Sequence, residues 1–174
     1  MIYIRPVRPA DATTRYCKWL NDPAVNKYTE SRYMKSTLPG IRKYISAARK
    51  SSSNFFFAII EKSTGEHIGN IKIDSTVNPF WDHLVGEVGL LIGEKTCWGK
   101  GYGSEAIQLV TKFAFEHLKL QKLTATCFAI NVGSARAFLK AGYKLEACRP
   151  ANARWGGKQV DLLLFGAINP RSKN

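Results

Sequence analysis

A glycine loop set between a strand-like run and a helix-like run constrains this chain more than any other feature. The stretch from Thr96 to Ala106 carries Gly99, Gly101 and Gly103 at alternate positions. The apolar run over residues 85–92 precedes it, and an amphipathic pattern starting near Ser104 follows it. Residues without side chains let backbone N–H groups approach an anion, and a helix N-terminus adds a favourable dipole. Strand, loop and helix in this order predict a phosphate-binding turn. A dinucleotide-binding fold would need such a loop after its first strand, with an acidic residue ending the next parallel strand. Here the loop lies in mid-chain behind a hairpin, and the next strand ends in Ala129, Ile130 and Asn131, which argues against that fold.

The rest of the chain supplies strands and helices around the loop. Residues 2–7 alternate as a first strand. Asp11 is placed to cap a short helix that carries Ala12, Tyr16, Trp19 and Leu20, and Pro23 opens another helical turn towards Tyr28. Residues 30–33 read as a loop. A second helix beginning near Ser36 or Thr37 presents Leu38, Ile41, Ile45 and Ala48 on one face. Residues 55–61 and 68–73 are expected to pair as an antiparallel hairpin, and residues 77–84, with Phe80 and Trp81, read as an irregular loop. Beyond the glycine loop come a helix over 104–118, a strand over 122–130 and a short helix capped by Asn131 and ended by Gly142. Two strands over 143–153 and 158–168 follow, turned at Trp155. There is no repeat, low-complexity stretch or linker. The expectation is one mixed α/β domain over residues 1–170 with a tail at 171–174.

Charge is the unusual number: 26 basic against 13 acidic residues, a net +13. Such a field attracts polyanions without choosing among them. From residue 31 to residue 60 there is no acidic side chain, while Arg32, Lys35, Arg42, Lys43, Arg49 and Lys50 all fall there. Cys17, Cys97, Cys127 and Cys148 are scattered and have no metal-ligand spacing with His67, His83 or His117, so neither a metal site nor a disulfide framework is expected. No run has the length of a membrane span and the N-terminus has no signal-peptide core, so a soluble cytoplasmic protein is the expectation. With no basic arm or helix-turn-helix pattern, nucleic acid is not an expected partner.

The segment Trp98, Gly99, Lys100, Gly101, Tyr102 and Gly103 resembles the coenzyme-binding motif of the GCN5-related N-acetyltransferases, with Glu105 and Ala106 following as in the ribosomal-protein N-acetyltransferase-like branch. A second segment, Asn131 and Ser134 followed by Ala141, Gly142 and Tyr143, is similar to that family's next motif. The resemblance implies a mostly antiparallel sheet of about six to seven strands, splayed between the fourth and fifth and flanked by about four helices. It implies acetyl-CoA as co-substrate. Pantetheine would lie along Leu90, Leu91 and Ile92, and the pyrophosphate would sit on the loop from Trp98 and Gly99 through Lys100, Gly101, Tyr102, Gly103 and Ser104, with Asn131 touching the coenzyme arm. A backbone N–H near Leu91 or Ile92 would polarise the thioester carbonyl.

Glu87, on the same strand among apolar residues, is the candidate base for the attacking amine, against a purely structural carboxylate. Many relatives keep a tyrosine acid where this chain has Phe138. Ser134 is then the candidate proton donor to the leaving thiolate, against a role in helix capping. Tyr143 reads as core. Tyr28, Glu30, Arg32, Tyr33, Phe80 and Trp81 are candidates for the acceptor wall.

The reading that follows is acetyl transfer from acetyl-CoA to a primary amine of a small molecule, a nucleotide-linked amino sugar among the candidates. A protein N-terminus, as in ribosomal-protein acetyltransferases, is the alternative acceptor. A non-catalytic module binding coenzyme A or nucleic acid is the further alternative. The resemblance also leaves room for a homodimer.

Overall fold

In chain order the elements are β1 (Ile2–Pro6), α1 (Thr14–Asn21), α2 (Pro23–Asn26), α3 (Leu38–Lys50), β2 (Asn54–Glu61), β3 (His67–Asn78), β4 (His83–Ile92), α4 (Tyr102–Glu116), β5 (Lys122–Phe128), α5 (Val132–Lys140), β6 (Lys144–Trp155) and β7 (Lys158–Ile168). Short 3-10 turns sit at Pro9–Asp11, Glu30–Tyr33 and Lys95–Cys97. The computed structural model describes residues 1–78 and 83–171. Phe80 and Trp81 lie outside them.

One seven-stranded sheet runs β1-β2-β3-β4-β5-β7-β6. Every neighbouring pair is antiparallel except β4 and β5, which are parallel. Successive side chains of a strand face opposite ways, so one apolar run can feed two cores. In β2, Phe57 and Ile59 join α4, α5, Ile71 and Ile73 on one face. Phe56, Ala58 and Ile60 join Tyr16, Trp19, Ile41 and Ile45 on the other, under α1 and α3.

Several expectations shift. The first helix is capped by Thr13, whose hydroxyl accepts from the Tyr16 N–H. Asp11 instead accepts from the Arg8 N–H and grips Arg5 with both oxygens at 2.7 Å. Arg5 competes with the cap for that carboxylate, and a charge-assisted fork is the stronger bond. Of the expected loop over 77–84, residues 77, 78, 83 and 84 are strand, because β3 and β4 pair as far as Asn78 and His83; residues 79–82 lie outside the described residues. Residues 30–33 form a 3-10 turn. Helix α4 starts two residues early because Gly101 adopts φ +83°, the left-handed conformation that turns the chain straight into the helix.

Among the described residues no helix is long and apolar enough to cross a membrane, no group of His, Cys, Asp and Glu gathers as a metal site, and no disulfide joins the four cysteines.

His67 sits edge-on to Trp19 and Tyr16, with Nε2 2.9 Å from the Gly69 carbonyl. Burial pushes its pKa below 6.5, only partly opposed by Asp11 and the Gly69 carbonyl. The folded state therefore prefers the neutral ring: its stabilisation is full above the unfolded pKa and is lost as pH falls below it. Urea midpoints should drop between pH 7.5 and 5.5, and His67→Gln should flatten that slope.

Candidate active site: a fork between two parallel strands

The fork starts from the pairing of β4 with β5. They are bonded only where Val85, Gly86 and Glu87 meet Lys122, Leu123 and Thr124. Beyond that point β4 continues to Ile92 and β5 to Phe128, each paired only on its outer side. Gly86 lies at the crotch. A methyl group there would come within 3.0 Å of Ile73, Leu120 and Leu123, so a side chain would force the strands apart where they must touch. Further along, Gly103 of α4 lets Leu90 of β4 and Ala137 of α5 close over the helix start; its added methyl would sit 3.3 and 3.7 Å from them. The two helices thus floor the fork from one face.

The glycine loop leaves β4 at the open end. The Trp98 indole N–H donates to the Ile92 carbonyl at 2.9 Å, tying the loop to the strand. After the Trp98 N–H, bonded to Lys95, the next N–H with a backbone partner is that of Glu105, which donates to Gly101. The N–H groups between them form a run with no backbone acceptor among the described residues, an arrangement suited to an anion. Among the site candidates, Lys100 is exposed at the loop's rim, while Ser104 is buried against it. The Tyr102 hydroxyl donates to Glu61 at 2.7 Å and pins the first turn of α4 from outside. Sequence reasoning missed Lys140 at the end of α5. Its ammonium would lie 3.7 Å from a methyl placed on Gly101. No local spacing could reveal it, because its approach depends on how α5 crosses α4.

Glu87 occupies the last paired position of β4, facing Thr124 on one side and Asp74 of β3 on the other. It is exposed, contrary to the apolar setting expected for it, because its strand neighbours Gly86 and Val88 face the core and it faces the other way. Among the described residues its carboxylate has neither ion pair nor hydrogen bond, whereas Asp74 beside it is held by Lys72 and Asn54, each at 2.6 Å. Asn131 caps α5, its side chain accepting from the Ser134 N–H at 3.3 Å. The partly buried Ser134 hydroxyl lies beside the Cys127 thiol, whose pKa burial pushes up while Ser134 pulls it down. Phe138 is buried, stacked on Phe165 and edge-on to Tyr143. Tyr143 is core as expected, with its hydroxyl 2.9 Å from Thr111.

The acceptor candidates divide. Tyr28, Arg32 and Tyr33 come together with Phe128 and Trp155: Tyr28 packs on both rings, and the Arg32 guanidinium lies 4.4 Å from the Tyr33 ring and 5.3 Å from Phe128. Glu30 is exposed and instead contributes to the field at Lys72. Trp81 lies outside the described residues. Phe128 and Trp155 were read only as strand and turn residues.

A profile of the family described as the acetyltransferase (GNAT) domain matches residues 2–144. The chain belongs to the GNAT acetyltransferase family. A GNAT protein of Bacillus subtilis (strain 168), probable N-acetyltransferase YjcK, is 26% identical over 97% of this chain and 94% of its own length. Among solved GNAT folds, the spermidine N-acetyltransferase from Vibrio cholerae in complex with CoA and spermine superposes with a TM-score of 0.82 at 15% identity, covering 97% of this chain and 95% of that one. The ribosomal-protein-S5-alanine acetyltransferase from Vibrio fischeri superposes at 0.78 with 21% identity, covering 99% and 96%. The chemistry is therefore acetyl transfer to nitrogen, for which GNAT enzymes use acetyl-CoA.

The loop's tie to β4 is testable alone. Trp98→Phe keeps a ring and deletes one hydrogen bond, so it should cost about 1 kcal/mol in a denaturant titration.

Proposed function

We propose that this GNAT enzyme holds acetyl-CoA in the β4–β5 fork and transfers its acetyl group to the primary amine of a small molecule, a nucleotide-linked amino sugar being one candidate. The observation that carries this is the continuity of the open inner edge of β4 with the unpartnered N–H groups of the glycine loop. An extended pantetheine arm fits an unpaired strand edge as an added strand. The loop from Gly99 to Ser104, with Lys100 and Lys140 at its rim, fits the pyrophosphate. Leu90, Leu91 and Ile92 offer backbone to the arm, and Trp98 and Asn131 border it. When bound, acetyl-CoA supplies an activated thioester. A backbone N–H of Leu91 or Ile92 stabilises the negative charge that grows on the acetyl oxygen as the amine attacks.

Glu87 takes the proton that the ammonium must lose, directly or through water, before nitrogen can form its bond to the acetyl carbon. Its exposure and lack of a partner leave it available for that role. The carbon–sulfur bond then breaks and the thiolate takes a proton. Phe138 has none to give; the Ser134 hydroxyl on the first turn of α5 passes a proton to sulfur while taking one from water, which thus supplies the proton to the thiolate. A protein N-terminus is the alternative acceptor.

A thiol-release assay with acetyl-CoA against small amines, amino sugars, spermidine and N-terminal peptides tests the reading. Turnover confined to the peptides would replace the small-molecule acceptor. Glu87→Gln should lower kcat by about 10²–10⁴-fold; an unchanged kcat removes Glu87 as base. Gly101→Val, at φ +83°, should weaken coenzyme binding by at least tenfold in calorimetry while the circular dichroism spectrum is retained.

A further inference from the structure

A second cavity lies beside the acceptor side of the fork. It is a hollow of about 500 Å³, open to solvent, between α1, α2, the 3-10 turn at Glu30–Tyr33 and the β6–β7 hairpin. That is the size of a small-molecule site. Three cations line it, Lys27, Arg32 and Lys35, and no acidic side chain does. None of the three forms an ion pair among the described residues; the nearby Asp22 is taken by Lys95 at 2.7 Å. Two aromatic residues, Tyr33 and Trp155, complete the lining.

The cavity is built rather than incidental. The Trp155 indole N–H donates to the Lys27 carbonyl at 2.8 Å, locking the hairpin tip onto the end of α2. The Arg32 guanidinium is held by the Lys27 and Thr29 carbonyls at 3.2 and 3.4 Å, and it lies over Phe128. Both carbonyls are neutral acceptors, so the positive charge is fixed in place without being cancelled. Clustered cations repel one another, and an arrangement that keeps them together without a carboxylate favours an anion.

Its position relative to the fork sets what that anion belongs to. Leu123, Ala125 and Cys127 of β5 face the core under α4 and α5, so Thr124 and Phe128 face the other way. Glu87 pairs with Thr124, and Arg32 covers Phe128. At about 3.3 Å per residue the two points are on the order of 13 Å apart along the strand. A bare amine at Glu87 cannot reach the cations; an amino sugar joined to a diphosphate can.

We infer that this cavity is the carrier subsite of the acceptor and that it takes a nucleoside diphosphate, with the phosphates on Arg32, Lys27 and Lys35 and the base against Trp155 or Tyr33. The inference rests on the small-molecule acceptor proposed above. It also sets the two acceptor classes apart, because a basic protein N-terminus would be repelled here.

The test is calorimetric titration of UDP into the protein presaturated with coenzyme A, so that the coenzyme site is blocked. UDP should bind, with affinity falling as KCl is raised. Arg32→Ala and the exposed Lys35→Glu should each raise Kd at least tenfold, with coenzyme affinity and the melting curve confirming that the variants fold. Failure of UDP to bind the wild-type complex, or equal binding by both variants, overturns the subsite. Acetylation of small amines without UDP binding would remove the carrier and leave the transferase reading standing. UDP binding without turnover of any amine would support the cavity and defeat that reading.

Discussion

The molecule is organised by two neighbouring strands that stop pairing. Parallel strands are ordinarily covered and bonded along their length, and backbone polar groups left without partners are costly when buried. Here β4 and β5 separate after Glu87 and Thr124, and the surrounding packing holds the gap open. Gly86 draws the strands together at the base. The contact of Gly103 with Leu90 and Ala137 fixes α4 and α5 beneath the gap. The Trp98–Ile92 bond turns the chain out of β4 into the glycine loop. An open strand edge of this kind is a template for another extended chain, and in a GNAT enzyme the pantetheine arm is the extended group available to fill it.

Charge is distributed unevenly around that gap. Among the described residues six carboxylates are held in ion pairs: Asp11 by Arg5, Asp22 by Lys95, Glu66 and Glu94 by Arg15, Asp74 by Lys72 and Glu146 by Lys122. Glu87, at the base of the fork where β4 and β5 part, is not among them. Lys100 and Lys140 lie at the glycine loop, and Lys27, Arg32 and Lys35 line the cavity beside Trp155. The excess of +13 is thus not only a diffuse field. Some of it is gathered at the glycine loop and in the cavity beside Trp155.

The coenzyme half of this site was legible in the sequence because its elements are contiguous. Strand, glycine loop and helix follow one another within residues 85–116, and Asn131 and Ser134 share one helical turn. Periodicity and backbone rules act over such short spans. The acceptor half was legible only as a list of aromatic and charged residues. Phe128, Lys140 and Trp155 come from three separate elements, and their roles follow from how the β6–β7 hairpin and α5 pack. The helix cap assigned to Asp11 went to Thr13 because Arg5, on β1, claimed the carboxylate. The exposure of Glu87 was equally hidden, since an apolar run does not say which of its members faces which core.

By itself the sequence determined the mixed order of strands and helices, the mid-chain glycine loop between a strand and a helix, and the want of an acid at Phe138. These are local properties of backbone conformation, alternation and side-chain chemistry. Tertiary structure decided where β4 and β5 part, that Glu87 at that point has no ion pair among the described residues, and that three cations share one cavity with Trp155. Those outcomes depend on contacts between residues far apart in the chain, which no local pattern encodes.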